Sequence, residues 1–177
     1  MTYAVITPET GIFSANILDN YRRIAAALQH CLQQLGLAVE MVSGRHESQG
    51  TSSAEQSACF TAPSYFELSC NGRKICGSAQ KRDAGCFLQH GSLPVELDPV
   101  MLFSTLNCES DLDAEAGGRS LARHVGWINR WLEHQVTVEQ VEEQFTASFA
   151  HIFPGRFVDD QPTAPEIALA KELEQIK

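Results

Sequence analysis

The sequence has little of what would place a protein in a membrane or export it from the cell. No apolar run in its 177 residues is long enough to cross a bilayer. The first residues, Met-Thr-Tyr-Ala-Val-Ile-Thr-Pro, lack the basic region and the long apolar core of a signal peptide. We therefore expect a cytoplasmic protein whose six cysteines are reduced thiols.

Paired cysteines and excess positive charge are also missing. No two cysteines form a Cys-x-x-Cys pair, so neither a zinc site nor a thioredoxin-like motif is predicted, and we expect no metal-ligating residues. The 13 lysines and arginines are outnumbered by 22 aspartates and glutamates, which gives a formal net charge of −9. An acidic chain is a poor general binder of nucleic acid. We expect neither nucleic acid nor a membrane among its partners.

The apolar pattern that is present predicts an α+β fold in a single domain, residues 1–177. Helices are predicted at 14–35, 98–106, 119–134, 138–153 and 163–177. Strands are predicted at 3–7, 37–42, 65–70, 74–82 and 86–93 and near Phe157, and polar loops at 43–58 and 107–118. The turns Asn71-Gly72 and Asp83-Ala84-Gly85 predict an antiparallel meander. Because regular βαβ alternation is absent, we expect helices flanking a mixed, largely antiparallel sheet.

Lys74 stands at the start of a predicted strand whose later positions are unusually small. Strand alternation would place Lys74 and Ser78 on one face, and Gly77 and Ala79 on the other. Small strand residues often mark a place where a ligand or another backbone comes close, and a lysine beside it could donate to a substrate carbonyl or phosphate. A solvated strand lysine is the competing interpretation.

Two further stretches could carry chemistry. His90-Gly91-Ser92 lies near the end of a strand, where Gly91 would leave its backbone N–H open to a ligand; a histidine satisfied within the core is the alternative. Cys59 ends the polar loop. It is either a nucleophile, activated by cations of the following hairpin, or a small buried apolar residue.

Together these residues resemble the lipoate–protein ligase A and octanoyltransferase family, part of the biotin/lipoate A/B protein ligase superfamily. The resemblance rests on Gly-Arg-Lys-Ile-x-Gly-Ser-Ala-Gln at 72–80 and on Gln-His-Gly-Ser at 89–92. More narrowly, Ala-Cys-Phe-x-Ala-Pro-Ser at 58–64 resembles the cysteine-dependent octanoyltransferases that load the glycine-cleavage H protein. The implied fold is that of a class II biotin/lipoate ligase.

The resemblance implies a role for individual positions. Cys59 would be the acyl-accepting nucleophile, and Lys74 would contact the acyl carbonyl. The acyl pocket would be lined by Gly77, Ser78, Ala79, His90, Gly91 and Ser92. Cys59 thiolate would take an octanoyl or lipoyl group from acyl carrier protein, and an acceptor lysine would then take it from the thioester, with no cofactor required.

Other functions stay open beside the transferase. One is an ATP- and Mg-dependent lipoate–protein ligase, in which Lys74 holds an acyl-adenylate. Another is a non-catalytic partner subunit of a split ligase. The family's N-terminal Arg-Arg…Thr-Gly-Gly segment and His-Asp pair are not found in the sequence, so we expect a domain incomplete at its N-terminus, with a second polypeptide as a candidate supplier. For docking of acidic partners we expect a local basic patch that includes Arg119, Arg123 and Arg130.

Overall fold

The computed structural model describes residues 1–42, 66–106 and 113–175. The strands are β1 (Thr2–Pro8), β2 (Val39–Val42), β3 (Glu67–Cys70), β4 (Arg73–Lys74), β5 (Gly77–Asp83) and β6 (Cys86–Ser92). The helices are α1 (Ile17–Gln34), α2 (Pro99–Leu106), α3 (Ala114–His124), α4 (Val138–Ile152) and α5 (Ala164–Glu174), with a 3-10 turn at Ile128–Arg130. No helix in these ranges is long and apolar enough to span a membrane.

The strands form two three-stranded antiparallel sheets. One has the order β1-β6-β5 and the other the order β2-β3-β4. In the first sheet, Tyr3 of β1 lies opposite Gly91 of β6, which lies opposite Ser78 of β5. The α+β class with flanking helices is confirmed.

The predicted strand 74–82 is divided between these sheets, so the prediction of one continuous meander is wrong. Ile75 is fully buried between β4 and β5, and its N–H donates to the Leu68 carbonyl. Lys74 forms a parallel bridge with Val125, and its carbonyl accepts from the Gly126 N–H. The burial of Ile75 and this distant pairing turn the chain from one sheet into the other.

Helix boundaries were predicted well where a local cap marks them. Asn16 caps α1, Asp98 accepts from the first N–H groups of α2, and Thr137 and Thr163 form capping boxes at α4 and α5. The core lies between α1, α4 and the inner faces of the sheets. Ile24, Leu28 and Leu32 of α1 are fully buried there, and each contributes about 2 kcal/mol through burial.

The region between α2 and α4 differs from its prediction. α3 begins at Ala114, not at Arg119, because Asp113 caps it. Gly117 lies inside this helix, where a Cβ would come 2.2 Å from the Phe103 ring of α2. The helix ends at His124, since Val125 becomes extended to pair with Lys74. The strand predicted near Phe157 is also wrong, because residues 156–163 form neither strand nor helix.

Candidate active site

A groove of about 560 Å³ lies on the first sheet, at the end where β1 begins and β6 ends. It is lined by Gly77, Ser78 and Ala79 of β5, by His90, Gly91 and Ser92 of β6, and by Thr2, Tyr3 and Ala4 of β1. All six residues predicted to bind substrate therefore line one groove. The lining from β1 was not predicted.

Gly91 forms the floor of the groove in the central strand. A Cβ at this position would lie 2.3 Å from the Gly77 carbonyl oxygen and 2.7 Å from the Tyr3 ring. Only glycine lets the three strands approach so closely. A side chain at Gly91 would point to the inner face that Phe87 and Gln89 share, so the groove meets only the backbone of this residue.

The groove opens on the face of the sheet that points away from the core. Ala4, Ala79 and His90 are exposed on that face, while Phe87 and Gln89 of β6 point inward and are buried. The outer face continues to Ile6, whose side chain is 76% exposed. At Ile6 this face adjoins α5, because a cavity of about 710 Å³ is lined by Ile6 together with Ile167 and Ala170 of that helix.

A buried polar cluster lies beneath the groove. The Tyr3 hydroxyl and Ser78 Oγ share a hydrogen bond of 2.6 Å, and the Tyr21 hydroxyl donates to the Ser78 carbonyl at 2.6 Å. Cys76 Sγ lies 3.5 Å from Ser78 Oγ. Burial raises the pKa of Tyr3 far above its ordinary value and that of Cys76 to about 11. Tyr3 and Cys76 are therefore uncharged at neutral pH, and the hydrogen bonds of the cluster fix Ser78 at the groove wall.

Lys74 does not line the groove. It lies in β4, two residues before Cys76, is only 6% exposed, and its Nζ lies 3.8 Å from Glu67 Oε1. The positive charge of Lys74 lowers the pKa of Cys76, though burial of the thiol outweighs it. The solvated-lysine interpretation is wrong, since the lysine is a buried cation beside a carboxylate at the junction of the two sheets.

Cys59 lies outside the described residues. Of the cysteines that the structure describes, Cys31, Cys70 and Cys76 are buried, and burial raises their thiol pKa values. Cys86 is exposed, but it lies at the opposite end of β6 from the groove. None of these four combines exposure with a position at the groove.

Sequence reasoning missed Glu67 and Tyr3. Glu67 could have been found, because the Asn71-Gly72 turn places Lys74 opposite Ser69, and Glu67 lies two residues along on the same face. Tyr3 had no such signal, since β1 pairs with a strand more than eighty residues away. No group of three His, Cys, Asp or Glu side chains that could hold a metal occurs among the described positions.

Comparison with known proteins identifies the class. The family model of the lipoyl protein ligase A/B catalytic domain matches residues 1–150. The chain belongs to this family.

Within this family, the chain is similar to octanoyltransferases. Octanoyltransferase LipM of Brevibacillus brevis is 34% identical over 176 residues, covering 98% of this chain and 64% of the relative. Octanoyltransferase LipM of Bacillus subtilis is 34% identical over 152 residues, covering 84% and 55%. The chain thus spans less than two thirds of these relatives.

Solved structures support the fold. A lipoate-protein ligase A bound with ATP superposes with a TM-score of 0.74 at 19% identity, over 99% of this chain and 61% of that one. A bi-partite lipoate protein ligase from Thermoplasma acidophilum gives 0.74 at 19% identity, over 99% and 60%. At such low identity these similarities establish the fold alone.

Proposed function

We propose that this chain acts as an acyltransferase of protein lipoylation. It moves an octanoyl group from acyl carrier protein, through a thioester on Cys59, to a lysine of an acceptor protein such as the glycine-cleavage H protein. The single observation that carries the proposal is the groove, because it gathers all six predicted pocket residues from two strands. The similarity to LipM octanoyltransferases supports the transferase over the ligase.

The proposed reaction has two steps. The Cys59 thiolate attacks the carbonyl carbon of the donor thioester, the new C–S bond forms, and the donor thiolate leaves and takes up a proton. An acceptor amine then attacks the acyl-enzyme, an amide forms, and Cys59 is released. The acyl group stays activated as a thioester throughout, so no ATP is consumed.

In this proposal the residues beneath and around the groove have separate roles. Gly77 and Ala79 leave room for the acyl chain beside the Gly91 backbone, while His90 and Ser92 line its polar end. Lys74 stabilises the negative charge that develops on the carbonyl oxygen, and it would approach from the sheet junction. Glu67 keeps that lysine positioned.

The exposed outer face of the first sheet is a candidate contact surface for another segment or another chain. A sheet face carrying Ala4, Ile6 and Ala79 in water is a typical contact surface, and β1 and β5 are edge strands of their sheet in the described part of the chain. We propose that a separate segment or a second polypeptide covers this face and completes the groove. The bi-partite archaeal ligase supports a division of this fold between chains.

The proposed function also includes a cytoplasmic location for the protein.

The test is acylation followed by intact mass. The protein is incubated with octanoyl–acyl carrier protein, alone and together with a polypeptide corresponding to the part of the Brevibacillus brevis relative that this chain does not match. We expect a hydroxylamine-sensitive octanoyl adduct in the wild type and none in Cys59→Ser. The matched control is Cys86→Ser, which should acylate normally.

The same assay separates the alternatives. Acylation of the acceptor that appears only with ATP, Mg²⁺ and free octanoate would establish the ligase, with Lys74 holding an acyl-adenylate. If no acylation occurs under any condition, but the chain binds the added polypeptide, it is a partner subunit. Either result would overturn the transferase.

A further inference from the structure

Two tyrosines from different elements of the fold bind the same groove residue, Ser78. The Tyr21 hydroxyl of α1 donates to the Ser78 carbonyl oxygen at 2.6 Å. The Tyr3 hydroxyl of β1 and Ser78 Oγ share a second hydrogen bond, also of 2.6 Å. The backbone and the side chain of this one serine are therefore held by a helix and by a distant strand.

The bond between Tyr3 and Ser78 crosses the central strand of its sheet. β1 and β5 are the outer strands of this sheet, and because neighbouring strands lie about 4.8 Å apart, roughly 10 Å separates them. Gly91 of β6 lies between the two residues in the register. A Cβ at Gly91 would come 2.7 Å from the Tyr3 ring and 3.0 Å from Ser78 Oγ. The bond therefore occupies the space that any larger residue at Gly91 would fill.

The Tyr3 hydroxyl is suited to a lasting hydrogen bond. Tyr3 is only 7% exposed, and burial raises the pKa of its hydroxyl far above the ordinary value. The group therefore keeps its proton at neutral pH, and because it is buried it needs a partner inside the protein. Ser78 is one partner, and the side chain of Gln89 lies within hydrogen-bonding reach as well.

Ser78 depends on these bonds because its other support is weak. β5 pairs with β6 alone among the described strands, so no second strand there holds its other edge. On the inner side Ser78 borders a cavity of about 10 Å³, which Tyr21, Glu67 and Cys76 also line. A further contact, with Cys76 Sγ at 3.5 Å, is weak because a thiol is a poor hydrogen-bonding group. Packing and pairing alone therefore leave this part of β5 incompletely fixed.

The position of Ser78 sets the width of the groove. Its chain neighbours Gly77 and Ala79 line the groove from β5, and Ala4 lines it from β1. The bond between Tyr3 and Ser78 joins these two walls. Dispersion contacts weaken steeply with distance, since a gap of about 0.5–1 Å loses roughly a quarter to a half of the attraction. A small displacement of β5 would therefore change how well an acyl chain of a given length is held.

We propose that Tyr3 and Tyr21 are positioning residues of the acyl groove. Through Ser78 they hold the β5 wall at the distance from β1 that gives the groove its preference for acyl chains of one length. The inference rests on the proposed function, because it takes the groove as the acyl site. The alternative is a purely structural role, in which the bonds stabilise the fold and leave this preference unchanged.

The test compares Tyr3→Phe and Tyr21→Phe with the matched control Ser148→Ala. Ser148 is a buried hydroxyl of α4 that contacts His30 and Gln144 and does not line the groove. Calorimetry measures the Kd of hexanamide, octanamide and decanamide, which resemble the acyl group but cannot be transferred. We expect the preference for octanamide over hexanamide to fall about fivefold in each tyrosine variant and to change less than twofold in Ser148→Ala.

A double-mutant cycle tests the path through Ser78. Ser78→Ala removes the hydroxyl that Tyr3 binds and keeps the carbonyl that Tyr21 binds. The effects of Tyr3→Phe and Ser78→Ala on the preference should therefore not add, whereas those of Tyr21→Phe and Ser78→Ala should. A thermal melt checks that each variant is folded, and Tyr21→Phe remains the decisive variant if Tyr3→Phe is not.

Binding and transfer together separate this inference from the proposed function. If octanoyl transfer occurs but the tyrosine variants keep the wild-type preference, or Ser148→Ala loses it equally, the positioning role is wrong and the function stands. If the wild type transfers nothing, yet prefers octanamide and loses this preference in the tyrosine variants, the function is wrong and the positioning role stands. Equal Kd values for the three amides in the wild type would also overturn the positioning role.

Discussion

The two sheets of this molecule both bury polar side chains, but they do so differently. In the sheet β2-β3-β4, the buried cation Lys74 has a carboxylate, Glu67, 3.8 Å from its Nζ. In the sheet β1-β6-β5, Gln80 and Gln89 lie opposite each other with buried carboxamides. Burial raises the pKa of Tyr3, and the side chain of Gln89 lies close enough to the Tyr3 hydroxyl to oppose that rise. Gln80 has no hydrogen-bond partner among the described residues. One sheet pairs its buried cation with a carboxylate, and the other leaves the Gln80 amide unpaired among the residues that the structure describes.

The buried ion pair in one sheet and the buried amides in the other have different explanations. A buried ion pair is weak evidence for stability, because apolar residues of similar volume are often as good. The function proposed above gives Lys74 and Glu67 a chemical reason to lie at the sheet junction. An unpaired carboxamide such as that of Gln80 costs about 1–3 kcal/mol, and it lies on the inner side of the strands that carry the groove.

The largest expected effect is that of Lys74→Met. Loss of a cation that stabilises developing oxyanion charge should lower kcat for octanoyl transfer by about 100- to 1000-fold. The measurement is the rate of acyl-enzyme formation by mass spectrometry, with circular dichroism to check the fold. Lys81→Met, an exposed lysine in β5, is the control. Equal rates in Lys74→Met and the wild type would show that Lys74 takes no part in acyl transfer.

Glu67→Gln should have a smaller effect through Lys74. Without the carboxylate the lysine loses orientation, and kcat should fall about tenfold while KM stays nearly constant. Glu67→Asp should restore part of the rate, since the charge returns at a longer distance. A rise in KM alone would show that Glu67 acts on binding and not on the lysine.

Gly91→Ala tests the groove in the other sheet. Its new Cβ would meet the Gly77 carbonyl and the Tyr3 ring, so overpacking should cost about 1–3 kcal/mol. The melting temperature should fall by several degrees, and acyl transfer should weaken further than the stability loss explains. An unchanged melting temperature would mean that the three strands shift apart at little cost to make room for the new Cβ.

Gln80→Leu should have the opposite sign. Removing an unpaired buried carboxamide at similar volume should leave the free energy of unfolding unchanged or raise it by about 1 kcal/mol. Urea unfolding measures this, with Gln29→Leu on α1 as a control that loses a bond to the Val39 carbonyl. A loss of more than about 1 kcal/mol in Gln80→Leu would show that the amide has a partner, and the contrast between the sheets would disappear.

The remaining effect is a pH dependence that concerns Cys76 at the junction. Burial raises its pKa from 9.0 to about 11. A group with a raised folded pKa supports stability below its unfolded pKa and loses that support as the pH rises. Urea unfolding should therefore show a decrease of up to about 2 kcal/mol from pH 8 to pH 10.5 that is smaller in Cys76→Ala. Identical decreases in both proteins would contradict the burial of this thiol as an uncharged group.

Prediction from sequence succeeded where the signal was local. The helix at 14–35 follows from apolar spacing, and the starts of α4 and α5 follow from Thr137 and Thr163. The six groove residues were found through a resemblance that rests on two contiguous motifs. The failures lie at Ile75 and in α3, where contacts with distant residues override the local pattern.

By itself the sequence determined the helices with their caps, the tight turns, and the placement of Glu67 on the same face of the hairpin as Lys74, because each depends on residues that are close along the chain. Only the tertiary structure decided that β1 brings Tyr3 to Gly91, that Ile75 divides one predicted strand between two sheets, and that Arg73 and Arg130 share the Ala122 carbonyl. These contacts join segments far apart in the chain. They form because burial and hydrogen bonding offset the entropy lost on closing the loops between these segments. A local sequence pattern contains no information about this free-energy difference.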